Sequence, residues 1–276
     1  MRMHSEPDQV ELARLGSAEL RQAYLIETLF VPGSIELVYT HADRAVIGGA
    51  VPTAAKLQLK PSPELRSTYF TERRELGVLN LGGSGAITVD GTRYAMARRD
   101  ALYVGKGSKL IEFESEKPSE PARFYLVSYP AHAMFPTRHA RFAEAQPVHL
   151  GNRREANERT IYKYIHQDGI QSCQLVMGFT ELKEGSVWNS VPPHTHQRRT
   201  EIYLYFGLPP TACVMHFMGK PTETRHLVVR NEQAVVSPGW SIHCGAGTQP
   251  YCFAWAMGGE NQEFTDMDAV QIADLR

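Results

Sequence analysis

Two short stretches carry the side chains best suited to chemistry. One is Pro192-Pro193-His194-Thr195-His196-Gln197-Arg198-Arg199-Thr200-Glu201, and the other is Ser237-Pro238-Gly239-Trp240-Ser241-Ile242-His243. His194 and His196 are two residues apart, so on a β-strand both imidazoles leave the same face. The run from Gln197 to Thr200 is polar enough for a turn that returns Glu201 to the same pocket, and His243 follows a Pro-Gly turn on a later strand. Three imidazoles and one carboxylate suit a divalent transition ion, and Fe²⁺, Mn²⁺ and Ni²⁺ accept such donors as readily as Zn²⁺. With 11 histidines in 276 residues, chance alone supplies roughly 0.4 His-x-His pairs. The pair therefore gains its meaning from Glu201 and His243. Exposed histidines beside an Arg-rich turn are the alternative.

The elements that must position these residues are short and β-rich. The first thirty residues carry a rough apolar stripe (Val10, Leu12, Leu15, Leu20, Tyr24, Leu25, Leu29) and predict a short N-terminal helical segment. From Ile35 the texture changes to strand-like runs punctuated by glycine and proline, with Asp90-Gly91 marking a hairpin between two of them. The stretch 132–160 is polar and reads as an inter-domain connection. A second block of strands is predicted at 172–182, 201–206, 212–218, 225–229, 234–236 and 251–257. Close-spaced strands of this kind argue for an all-β barrel or sandwich. Two blocks of similar size suggest tandem barrels, at 1–150 and 151–276, with one large sandwich as the alternative. Asp100-Ala-Leu-Tyr-Val-Gly-Lys-Gly107 weakly resembles Glu232-Gln-Ala-Val-Val-Ser-Pro-Gly239, but no histidine matches His243, so the first barrel is expected to lack metal ligands.

Composition narrows the function classes. The chain is 42% hydrophobic and 21% charged with a net charge of −1, and it has no dense Lys/Arg block, which argues against a nucleic-acid surface. No window approaches the roughly 20 apolar residues of a membrane span, and the first residues lack the apolar core of a secretory signal, so a soluble cytoplasmic protein is expected. Cys173, Cys213, Cys244 and Cys252 form no Cys-x-x-Cys pair and read as reduced, mostly buried thiols. Cys244 follows His243 directly and should point away from any ion. The glycine-rich Leu81-Gly-Gly-Ser-Gly85 has no helix behind it and reads as a turn, Gly105-Lys106-Gly107-Ser108 lacks phosphate-loop spacing, and no Gly-x-Ser-x-Gly elbow is present.

The metal motifs resemble the cupin signature, His-x-His, a few residues, Glu, a later Gly, then Pro-x-Gly-x-x-His. This chain has His194-x-His196-x4-Glu201, Gly207, and Pro238-Gly239-x3-His243, so the second glycine sits one place early. Tyr39-Thr-His-Ala-Asp-Arg-Ala-Val-Ile-Gly-Gly49, Ser172-Cys-Gln-Leu-Val-Met-Gly178, Glu184-Gly-Ser-Val-Trp-Asn-Ser-Val-Pro-Pro-His-Thr-His196 and Trp255-Ala-Met-Gly-Gly-Glu-Asn-Gln262 resemble the 5-keto-4-deoxyuronate isomerase family over nearly the whole chain. That resemblance implies two tandem cupin-like (jelly-roll) barrels with one zinc ion per chain in the second. It also implies a step in pectin breakdown that turns 5-dehydro-4-deoxy-D-glucuronate into 3-deoxy-D-glycero-2,5-hexodiulosonate, and a homo-oligomer, possibly a hexamer.

An aldose–ketose isomerase must pass a proton between adjacent carbons through an enediolate, which a Lewis-acidic ion with an open position stabilises. If Glu201 faces inward on a regular strand, Tyr203 and Tyr205 share its face and either phenol is a candidate proton donor, with plain barrel packing as the alternative. Lys183, Glu181 and His216 fall on predicted strands nearby, and none is singled out as the base. A uronate carboxylate calls for a guanidinium, for which Arg198 and Arg199 are the candidates, a solvated turn being the other reading. An iron-dependent dioxygenase and a non-catalytic sugar-acid binding protein remain alternative functions.

Overall fold

The computed structural model describes residues 1–260, 262–263 and 265–276. Asn261, within the motif stretch 255–262, lies outside the described residues. The fold is all-β, two tandem jelly-roll barrels with a short N-terminal helical segment. The chain divides into two compact units, residues 1–4, 28–145 and 164–176 in one, and 5–27, 146–163 and 177–276 in the other. This division argues against the single large sandwich.

Each unit is built from a seven-stranded and a four-stranded sheet. In the first unit the larger sheet runs Arg2–His4, Ile35–Thr40, Val46–Ala50, Phe124–Pro130, Arg74–Asn80, Ala101–Val104, Arg138–Ala140, and the smaller runs Leu57–Gln58, Ile111–Ser115, Gly85–Val89, Thr92–Met96. Its interior is apolar: Leu76, Val78, Leu102 and Val104 meet Ile87, Phe113 and Phe124 in one buried cluster. Strand alternation explains this, since Leu76 and Val78 leave one face of their strand while Glu75 leaves the other. Asp90 and Gly91 both have positive φ (46° and 85°) between the paired Val89 and Thr92, the backbone that a tight two-residue hairpin requires.

The second unit repeats the plan. Its larger sheet runs Pro147–Leu150, Arg159–Ile165, Val176–Leu182, Cys252–Gly259, Arg199–Phe206, Gln233–Ser237, Leu25–Ile26, and its smaller sheet runs Trp188–Asn189, Cys244–Gly247, Val214–Lys220, Glu223–Val229. The six strands expected in this half are present, with ends shifted by a few residues. The polar stretch 132–160 is no free linker. It contains the edge strands Arg138–Ala140 and Pro147–Leu150, the latter exposed at every position.

Residues 5–27, counted with the first block in the sequence reading, belong to the second unit. The helical stripe is broken at Gly16 into Gln9–Leu12 and Ser17–Tyr24. The Asp8 carboxylate caps the first by accepting from the Val10 and Glu11 amides, and the Glu19 carboxylate accepts from the Gly16 amide. Leu12, Leu20 and Tyr24 are buried. The Arg225 guanidinium donates to the carbonyls of Leu12, Ala13 and Leu15, and Leu25–Ile26 then pairs antiparallel with Gln233–Ser237. Arg2–His4 is a strand, pairing parallel with Ile35–Thr40, where the stripe predicts helix. No described helix is long and apolar enough to cross a membrane, and all four cysteines are free thiols, with Cys244 and Cys252 buried.

In the first unit the fully buried Glu75 carboxyl group accepts from the Tyr103 hydroxyl (2.8 Å) and from the amides of Cys173 (2.6 Å), Gln174 (2.8 Å) and Leu175 (2.7 Å). Removing it orphans several buried donors at once. Glu75→Ala is therefore expected to lower stability by about 3 kcal/mol or more, read as a shifted midpoint in urea unfolding.

Candidate metal centre

Each of the four residues His194, His196, Glu201 and His243 reaches the second barrel's interior by a different local device. His194 lies in the two-residue strand His194–Thr195, paired with Asp268–Ala269. The His196 amide donates to the Gly239 carbonyl (3.2 Å), and the Arg199 amide closes a turn onto the His196 carbonyl (3.1 Å). Arg199 and Thr200, expected in this turn, already belong to the strand Arg199–Phe206 and are buried, because the turn needs only His196 to Arg198. A side chain on Gly239 would meet the carbonyls of Gln197 and His196 at 2.9 Å and that of Arg199 at 3.1 Å, so the close crossing of the two motifs requires glycine there. Glu201 sits inside the sheet between Ser237 and Met257. His243 follows the turn in which the Ser241 amide donates to the Pro238 carbonyl (2.9 Å).

The four donor atoms lie within 4.8 Å of one another, and among the described residues this is the one such group of His, Cys, Asp or Glu. A Glu201 oxygen, Oε2, is 3.0 Å from both His196 Nε2 and His243 Nε2, and His243 Nε2 is 2.9 Å from His194 Nε2. His196 Nδ1 donates to the Arg199 carbonyl (2.8 Å), and His243 Nδ1 lies 3.3 Å from both the Ser241 carbonyl and the Ser237 hydroxyl. Those outer contacts fix tautomers that turn the Nε2 lone pairs inward, as metal-ligating imidazoles require. The donor set thus fits a divalent ion held by His194, His196, Glu201 and His243.

Electrostatics agree with that fit. Burial, reinforced by the neighbouring His243, pushes His194 down to about 3, which keeps it neutral. Burial works against the Glu201 anion, yet His243 and His196 together hold its carboxyl well below the usual carboxylate range. For His196 burial acts downward, and the hydrogen bond to Glu201 outweighs it, so its net direction is upward.

Three of these donors, His194, His196 and Glu201, line a cavity of about 270 Å³ together with Arg159, Thr180, Ser190, Arg199 and Tyr203, with apolar walls that include Trp255 and Met257, while His243 is buried outside the lining. Tyr203 is buried with its hydroxyl 3.1 Å from the Ser190 hydroxyl and its ring 5.6 Å from that of His243. Burial first, and the Glu201 charge second, push its phenol well up, so it keeps its proton. Tyr205 shares the face, its hydroxyl hydrogen-bonded with His216 Nδ1 (2.7 Å), and neither Tyr205 nor His216 lines the cavity. Lys183 is exposed one residue past the strand Val176–Leu182, and it and Glu181 lie outside the lining.

The two candidate guanidiniums are otherwise engaged. Arg198 pairs with Asp266 (2.7 Å) and Asp268 (3.1 Å) and does not line the cavity. Arg199 lines it but donates to the backbone carbonyls of Glu263 (2.6 Å) and Asp266 (3.2 Å). Arg159 is the lining guanidinium that the sequence reading missed. One of its nitrogens donates to the Asn157 carbonyl (2.9 Å), and burial lowers its pKa. It lay in the polar stretch taken for a connection, where nothing local signalled an inward-facing strand.

Comparison with known proteins follows the same lines. The sequence profile of the KduI/IolB family matches residues 26–273. A 4-deoxy-L-threo-5-hexosulose-uronate ketol-isomerase of Shouchella clausii is 55% identical over 94% of both chains. One of Halalkalibacterium halodurans is 52% identical over 100% of this chain and 99% of its own. Among solved structures, an IolB-like protein of Salmonella typhimurium superposes with a TM-score of 0.73 at 14% identity, covering 90% of this chain and 96% of that one. Bacillus subtilis oxalate decarboxylase, described with Mn(II) centres, gives 0.58 at 10% identity over 82% and 71%. These distant structures share the cupin-type fold.

Elemental analysis of the purified protein is expected to find about one divalent ion per chain, falling below about a tenth of that in His194→Ala. The ion should be lost on acidification through the ordinary imidazole range near pH 6.5. A ligating imidazole must be unprotonated, and because His196 is shifted upward, proton competition at its Nε2 starts at a higher pH than for a free imidazole. Metal content after dialysis across that range measures the effect.

Proposed function

The chain belongs to the KduI/IolB family and is an isomerase, and from that premise we propose that it is a zinc-dependent ketol-isomerase of 5-dehydro-4-deoxy-D-glucuronate, yielding 3-deoxy-D-glycero-2,5-hexodiulosonate in pectin and uronate breakdown. The observation that carries this reading is the convergence of His194, His196, Glu201 and His243, the first three of which line a cavity that also holds a neutral phenol and a guanidinium.

A divalent ion bound there would polarise the aldehyde and hydroxyl oxygens of the substrate and stabilise the enediolate between them.

The remaining roles fall to the chain's own residues. The Tyr203 phenol, 3.1 Å from the Ser190 hydroxyl, keeps its proton and offers a hydrogen bond to the substrate oxygen that becomes a hydroxyl. Arg159 receives the uronate carboxylate, since Arg198 is already paired with two aspartates. Thr180 and Ser190 offer hydroxyls to the sugar chain, while Trp255 and Met257 exclude water from it. The same reading includes a cytoplasmic homo-oligomer.

A direct turnover assay with the unsaturated-uronate product tests this reading. Tyr203→Phe should lower kcat by about a hundredfold or more, and Arg159→Gln should raise KM by about tenfold while kcat changes less. Chelation should abolish turnover and zinc should restore it. Oxygen consumption during turnover would instead favour the dioxygenase alternative, and binding of the acid without turnover a non-catalytic protein.

A further inference from the structure

The first unit contains a cavity of its own, of about 360 Å³, larger than the one above the metal donors. Its wall includes Arg74, the opening residue of the strand Arg74–Asn80, whose side chain is directed inward and is only 6% exposed. Its Nε donates to the Ser128 hydroxyl (3.1 Å), and one terminal nitrogen, Nη2, donates to the carbonyls of Ser128 (2.8 Å) and Arg44 (2.6 Å). All of these acceptors are neutral. Among the described residues no carboxylate pairs with Arg74, and its Nη1 has no protein acceptor. A guanidinium buried without a counter-charge is costly, and the cost falls when an anion completes its fork.

The surroundings point to the kind of anion. Arg44 and Arg73 add positive charge to the same wall, and Arg73 is partly offset by Glu72 (3.2 Å). Glu64 is the one lining carboxylate, and it is occupied by the Ser62 hydroxyl. The Ser67 hydroxyl is buried and has no partner among the described residues. Tyr39 and His41 stand edge to face 5.6 Å apart and offer further polar contacts. Phe70, Leu65 and Pro130 supply apolar surface against which carbon–hydrogen faces pack. A bare inorganic anion would use the arginines and leave the hydroxyls and the apolar wall without a partner.

We propose that the first unit holds a second binding site, for a small hydroxylated carboxylate of hexuronate size, with Arg74 and Arg44 on the carboxylate and Ser67, Tyr39 and His41 on its hydroxyls. The site is separate from the metal centre and gives the first barrel a ligand of its own.

Calorimetric titration of the intact protein with D-galacturonate tests it. Saturable binding is expected in the wild type and in His194→Ala, weakened about tenfold or more in Arg74→Gln. Ser67→Leu, which fills the cavity while leaving the guanidinium in place, should weaken it similarly, and it serves as the decisive variant if Arg74→Gln does not fold. Three results would overturn the proposal: no saturable heat in the wild type, binding that survives Ser67→Leu and disappears in His194→Ala, or saturation of the Arg74-dependent site by inorganic phosphate with none by D-galacturonate.

Discussion

A carboxylate oxygen of Glu201 lies 3.0 Å from two imidazole nitrogens at a place where its residue is only 5% exposed, and the second unit is organised around sustaining that contact. An isolated carboxylate at such depth would take up a proton. Here the charge is kept by imidazoles whose far nitrogens are tied to main-chain and hydroxyl oxygens, so the rings cannot swing away. The strand Arg199–Phe206 supplies the carboxylate from the middle of the sheet, where neighbours on both sides hold its backbone rigid. The histidines come from outside that strand, His194 from the short pair with Asp268–Ala269, His196 at the start of a turn and His243 just after one.

The two barrels share a sheet plan and differ in what fills them. In the first, the inward positions of the strand Arg74–Asn80 are mainly aliphatic, with Arg74 at the opening. In the corresponding strand of the second, Glu201, Tyr203 and Tyr205 point inward, and His216 faces them. A polar interior of this kind works only when its hydrogen bonds are nearly complete. The pairs Tyr205–His216, Tyr203–Ser190 and Asn189–Tyr251 meet most of that demand, leaving Asn189 Oδ1 and His216 Nε2 without protein partners.

Much of this was legible in the residues themselves. His-x-His with a later glutamate and a Pro-Gly-led histidine named all four convergent side chains, because metal-ligand spacing is a local property of strands and turns. The Asp90-Gly91 hairpin and the second block of strands were readable for the same reason. What was hidden depends on distant partners. Arg159 faces the cavity only because its polar-looking segment pairs into a sheet. Arg198 is drawn off by Asp266 and Asp268, nearly seventy residues later in the chain. Lys183 sits one position beyond the end of its strand, where periodicity no longer dictates direction. Charge and spacing describe what a residue can do, and pairing across the sheet decides where it does it.

The edge strand Leu25–Ile26, docked beside Gln233–Ser237, has a consequence for how the protein is made. A ribosome releases residues near the start long before their partner strand exists, and the short helices ahead of it must wait for Arg225 as well. His194 has the opposite debt, since its strand is completed by Asp268–Ala269 near the other end. The second barrel is thus stitched from segments far apart in the sequence, while most strands of the first are contiguous in the chain. Contacts of such long sequence separation form slowly, so the first barrel can settle while the second still waits for its distant partner strands.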